Sequence, residues 1–204
     1  MQEAPEDILT FWFADAVDDP AKAMQRRAFW FEANPTVDES ISQRFSTLVQ
    51  RSGRGELTAW EQAPRSCLAI VVLLDQFPRN LYRGMAEAFQ YDSRALDVAS
   101  RGIAAGYLEQ LSLIEQCILV LPYEHSEILS VQRAGMKLME QIVDGASPEW
   151  EPAARISLEF ARKHLEIIER FGRFPHRNVV LGRPSTDAER AYSEDGGESF
   201  GQSA

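Results

Sequence analysis

Lysine is almost missing from this chain: of 21 basic residues only Lys22, Lys137 and Lys163 are lysines. Positive charge as a whole is scarce, because 31 acids outweigh it to leave a net charge of −10. A chain this acidic lacks the broad basic surface that displaces counterions from nucleic acid, and it lacks a patch for anionic lipid. Cysteine is limited to Cys67 and Cys117, each inside an apolar stretch and without a second thiol nearby. CxxC redox and zinc patterns are thereby excluded, and the reading is of buried thiols acting as small apolar groups. No apolar run approaches the roughly 20 residues needed to span a bilayer; the longest, Cys67 to Leu74, is too short. The opening Met1-Gln2-Glu3-Ala4-Pro5-Glu6-Asp7 has no basic stretch of the kind that starts a secretory signal, so a cytoplasmic protein is expected.

Strand-like alternation of useful length is absent too, and apolar residues recur instead at helical spacing. Val37, Ile41, Phe45, Leu48 and Val49 form one such face, and Ile156, Phe160, Ile167, Ile168 and Phe171 another. The 204 residues are ample for one core, and 45% hydrophobic with 25% charged residues is an ordinary globular balance. The expectation is a single all-α domain over residues 5–194 with eight or nine helices and no sheet. A helix is predicted from Tyr123 to Val143, opened after Pro122, and a capping box of Thr186 with Glu189 starts a last short helix. Trp12, Trp30 and Trp60, with Phe29 and Phe31, read as core anchors. The Gly- and Ser-rich residues 195–204 are expected to form a disordered tail. A helical solenoid is left open, since no fixed-period repeat stands out.

Arginine is plentiful, and its placement is the informative part. Phe77-Pro78-Arg79-Asn80 is echoed by Phe174-Pro175-His176-Arg177-Asn178. From Gln76 to Ala86 there are two Arg and no acid, and from Arg170 to Thr186 four Arg, one His and no acid. Clearing acids from two windows of an acidic chain, and filling them with guanidinium forks suited to carboxylate or phosphate, suggests an anion site. In the first window the structural alternative is a rigid corner: Pro78 drives Phe77 out of helical geometry, and Asp75 pairs with an arginine. In the second, an internal salt-bridge network with the surplus acids is the alternative to a pocket.

Tyr123-Glu124-His125-Ser126-Glu127 follows Pro122. A helix N-terminus there would suit Glu124 and Glu127 by its dipole alone. His125 between two glutamates suggests a general acid or base with a raised pKa, against the plainer reading of a core hydrogen-bonding histidine. All three histidines, His125, His164 and His176, lie in or just before these phrases. HExxH, Glu-x-x-His, Walker, dinucleotide and G-x-S-x-G patterns are absent, so no cofactor or metal is implied.

Taken together, LDQFPRN, YRG, YEHSE and FGRFPHRN with LGR (residues 74–80, 82–84, 123–127, 171–178 and 181–183) resemble a family of mostly bacterial proteins designated domain of unknown function 924. The resemblance runs from Phe11-Trp12-Phe13 to Arg183. It implies an all-α fold similar to tetratricopeptide-type helical stacks and carries no activity, cofactor or catalytic residue.

The leading expectation is a pocket for a small anionic molecule, with Arg79, Asn80, Arg83, Arg173, His176 and Arg177 as ligand-binding residues and His125 and Glu127 as proton-transfer residues. A second is a helical scaffold whose concave face takes an acidic protein segment or a carboxylate terminus. A third is that the phrases only lock helix corners through buried Arg–carboxylate pairs.

Overall fold

Prolines mark where helices begin, since a first-turn residue has no use for its missing N–H. The computed structural model describes residues 4–202, so Ser203 and Ala204, the last of the expected tail, lie outside the described residues. Pro5, Pro20, Pro35 and Pro64 open α1 (Pro5–Phe13), α2 (Pro20–Phe31), α3 (Pro35–Gly53) and α4 (Pro64–Val71). The Asp19 and Asn34 side chains accept from first-turn amides of α2 and α3. A π-helical turn (Val72–Gln76) joins α4 to α5 (Phe77–Leu81). Then follow α6 (Asp92–Ala104), α7 (Leu113–Glu124), α8 (Leu129–Asp144), α9 (Glu151–Phe171) and α10 (Asp187–Glu194). The remaining segments include 3-10 turns at Ala86–Phe89 and Pro175–Arg177. The fold is all-α, with no strand among the described residues.

The run from α4 through α5 is the axis of the molecule. Cys67 to Leu74 and Phe77 are each at most 1% exposed, and a helix apolar on all sides has to be surrounded. Its neighbours are α1 and α3 on the N-terminal side and α6 and α7 on the other. Phe77 packs with Phe11, Trp12 and Phe45 at ring separations of 6.2, 5.6 and 5.1 Å, so the aromatic opening is a core anchor.

Two prolines behave differently from expectation. Pro78 does not expel Phe77 from helical geometry, because Phe77 sits at φ −62° and ψ −36° and the helix continues to Leu81. The Phe77 N–H reaches the Val72 carbonyl five residues back. This widened turn makes room for a ring that would otherwise strike the carbonyl of the residue four back. Pro122 likewise lies inside α7, which ends at Glu124, and α8 begins only at Leu129. Glu124 is therefore at a helix C-terminus, where the dipole opposes a carboxylate. The Thr186–Glu189 capping box forms as expected, with N–H to oxygen distances of 3.2 and 2.7 Å.

α7, α8 and α9 pack in sequence, and Gly135 sets how closely α8 approaches α7. A Cβ on Gly135 would stand 2.6 Å from the Tyr123 Cβ. Gly135→Val is expected to cost about 2 kcal/mol of stability by overpacking, measured as a lower urea midpoint with an unchanged slope.

Candidate functional site

Asp75 is the one acid within the apolar axis, and it has no exposure at all. A carboxylate taken from water must be met by charge and hydrogen bonds. The π turn faces it toward three partners. Its Oδ1 lies 2.7 Å from Nδ1 of His125 and 3.5 Å from Nη1 of Arg79, and Gln76 Nε2 donates to Oδ2. Arg79 also donates to the Asp75 backbone carbonyl at 2.5 Å. Burial alone would raise the Asp75 pKa, but the Arg79 charge and the His125 bond outweigh it and hold the group below its ordinary value. Asp75 is ionised and can only accept. The proton of His125 is therefore on Nδ1, and Nε2 keeps its lone pair.

His125 departs from expectation in its charge. Burial first, and then Arg79, lower its pKa against the opposing pull of Asp75, so the ring is neutral near pH 7. An oriented neutral imidazole backed by a carboxylate is the arrangement of a general base.

The two arginine phrases meet at Asp92, the first residue of α6. Arg79 reaches its carboxylate at 3.0 and 3.1 Å, and Arg177, in the 3-10 turn, at 3.1 Å. The Arg177 guanidinium also lies 4.4 Å over the Phe89 ring and 4.5 Å over Phe174. Burial lowers its pKa to about 10 despite Asp92, which leaves it charged at neutral pH.

Beside this cluster is a cavity of about 550 Å³. Arg79, Asn80, Arg83, Arg177 and all three histidines line its polar side, and Trp30, Ile118, Leu121 and Phe160 are on its apolar side. Arg27 of α2 joins them, 5.2 Å over both Phe31 and Phe160. Among the described residues no carboxylate comes within ion-pair distance of it. Glu124 also lines the cavity, and burial, followed by the Asp75 charge, raises its pKa to about 8 against the opposing effect of Arg27. It is protonated at neutral pH. His164 donates from Nδ1 to the Phe160 carbonyl at 2.8 Å and is held neutral by burial. Its 3.6 Å approach to Glu124 is thus between two uncharged groups. Glu124 Oε2 and His164 Nε2 are buried without a hydrogen-bond partner.

Of the predicted residues, Glu127 and Arg173 are not on the cavity. Glu127 accepts from Arg183 at 2.6 and 3.0 Å and from the Phe174 amide at 2.8 Å. These donors overcome burial and lower its pKa, which suits a clamp and not a proton donor. Arg173 is bound by both oxygens of Glu189, at 2.6 and 2.8 Å. Asn80 and Arg83 line the cavity and share Asp38, at 2.7 and 3.3 Å. His176 packs among Phe89, Phe174 and Phe200, and burial lowers its pKa to about 3. The expected disordered tail differs as well: residues 196–202 lie along the cavity, with Phe200 stacked on His164. The two phrases thus converge on one hollow, while Arg79 and Arg177 share Asp92, Arg83 has Asp38 and Arg173 has Glu189.

Sequence reading passed over Asp92, Arg27 and Glu124 as an acid, and noted His164 beside the phrases without giving it a role. Asp75 had a signal, an acid set within LLDQF, whereas nothing local distinguishes Arg27. Among the described residues no three His, Cys, Asp or Glu are placed to share a metal ion, and no helix is long and apolar enough to cross a membrane.

A carboxyl whose folded pKa is raised binds a proton that the unfolded chain has lost, so it costs stability as pH climbs from about 4.5 towards about 8. Glu124→Gln should remove that cost. Urea unfolding is expected to show the variant gaining on the native chain across this window, by on the order of a few kcal/mol at the alkaline end. A stability difference independent of pH would place Glu124 in a wetter, ionised state.

The family model "Bacterial protein of unknown function (DUF924)" matches residues 8–197. A structure of a protein of unknown function from Agrobacterium tumefaciens is similar at 33% identity and a TM-score of 0.79, covering 94% of this chain and 97% of that one. No curated protein matches the chain at a significant level. With nearly its whole length matched, the chain belongs to this family of bacterial proteins of unknown function.

Proposed function

We propose that the cavity binds a small organic anion and that the protein is an enzyme performing general acid–base chemistry on it. The carrying observation is the 2.7 Å bond from His125 Nδ1 to the ionised Asp75. It supports His125 Nε2 as the base. Glu124, holding a proton up to about pH 8 in the same cavity, is the acid. Two titratable groups pushed to opposite states by their surroundings are the usual basis for such a division of roles, each contributing about 10²–10⁴-fold to rate. Arg27 supplies the charge that no carboxylate among the described residues meets; Arg79 and Arg177 already face Asp75 and Asp92, and Arg83 pairs with Asp38 through Nη2 alone and keeps its other donors.

The scaffold alternative calls for a broad exposed groove. The burial of His125, Glu124, His164 and Arg177, and the chain segment lying over them, favour a small ligand.

A thermal-shift screen with phosphorylated and carboxylated metabolites tests this reading. At least one compound should stabilise the protein increasingly with concentration. Arg27→Gln should abolish the shift without lowering the melting temperature of the free protein, and Arg27→Lys should restore part of it. Insensitivity to the whole panel would contradict the proposal. Turnover of the binding compound is expected to fall above about pH 8 as Glu124 loses its proton, and to be lost in His125→Ala.

A further inference from the structure

The segment from Ser199 to Gln202 carries features of a bound molecule more than of a built-in wall. Phe200 lies face to face with His164, with centroids 3.7 Å apart and planes at 12°. Phe174 and His176 stand edge-on to the same ring at 6.2 and 6.0 Å. These three residues make a slot for one planar ring, next to His125, whose ring is 5.6 Å from His164. Arg83 then donates from Nη1 to the Gly201 carbonyl at 2.6 Å, while its Nε is buried without a partner. The fit is imperfect. Phe200 has φ +51°, a left-handed geometry that costs about 1 kcal/mol in an L-residue, and Gln202 Oε1 is buried without a donor.

We infer that residues 199–202 occupy the place of the cavity's own ligand, and that this ligand carries a planar aromatic ring for His164 and a carboxylate for Arg83. The inference rests on the proposed reading of the cavity as a small-anion site and specifies its substrate class. A ring held by two histidines and a phenylalanine is recognised by its π-face, which an aliphatic ring of similar size lacks. A carboxylate at the position of the Gly201 carbonyl presents full charge, and a second oxygen, to a guanidinium left with a spare donor. The chain's own segment is then an intramolecular competitor, and it reduces the apparent affinity in proportion to the time it occupies the site.

The probe is N-acetyl-L-phenylalanylglycine, whose ring matches Phe200 and whose carboxylate falls where the Gly201 carbonyl stands. N-acetyl-L-cyclohexylalanylglycine is the control for the ring face. Titration calorimetry is done on the full chain and on two variants that dislodge the segment by different means. Phe200→Ala removes the ring. Gly201→Val adds a side chain at φ +72°, with its Cβ 3.0 Å from the Phe31 carbonyl. Both variants should bind the phenyl probe at least about 5-fold more tightly than the native chain, reflecting the occupancy they release. The cyclohexyl probe should bind every chain several-fold more weakly. Equal dissociation constants across the three chains, equal binding of the two probes, or no binding in either variant would each overturn the inference. If that happens while a ringless carboxylate or phosphate still gives an Arg27-dependent thermal shift, the acid–base reading stands and only the aromatic substrate class falls. Silence in both experiments removes both.

Discussion

An ionised carboxylate with no exposure, Asp75, sits within the most deeply buried helical run of the molecule, and the site is arranged around the need to satisfy it. Left alone it would be protonated or would unfold the axis; a buried unpaired charge is among the costliest defects a core can hold. Arg79, one turn along, and His125, from the end of α7, supply the compensation. Arg79 then needs more than one acid, and Asp92 provides the second while also receiving Arg177. Apart from the Asp75–Arg79 pair within one helical run, these ions are held from other elements, so the cluster ties the π turn, α5, α6, the end of α7 and the 3-10 turn at Pro175 into one arrangement.

The π turn is what makes this geometry reachable. A regular α-helix containing Pro78 would kink or break. The five-residue hydrogen bond from Phe77 to Val72 keeps the helix running and widens it at Asp75. Such turns are rare and often lie at functional sites. Here it puts a carboxylate and an arginine on the same side of a buried helix, against a histidine.

The fold was legible because apolar periodicity, the prolines that open α1 to α4 and the Thr186 capping box are local signals that tertiary contacts did not override. The meeting of the two arginine phrases was legible from the lack of acids around Arg79, Arg83 and Arg177. That lack did not mean free positive charge, because Asp92 and Asp38 arrive from outside both windows. The states of Glu124 and His125 were misjudged for one reason. Pro122 was read as a helix start, which placed Glu124 at a favourable dipole end, whereas α7 carries it past that proline into a dry interior. Burial, which no local pattern reports, then decides that the glutamate keeps its proton and the histidine does not. Glu127 and Arg173 resembled site residues in sequence because they share the same phrases, yet their side chains brace the turn that holds Arg177 and α10.

The measurement that bears most directly on this account is the protonation of the His125 ring, read by long-range nitrogen–proton NMR on protein labelled at histidine. The predicted result is a ring with its proton on Nδ1, placed there by Asp75, and neutral at pH 7 because burial and the Arg79 charge lower its pKa against the pull of Asp75. A proton on Nε2 would show that Asp75 does not orient the ring, and a ring doubly protonated at pH 7 would leave no base; either result would contradict the acid–base site.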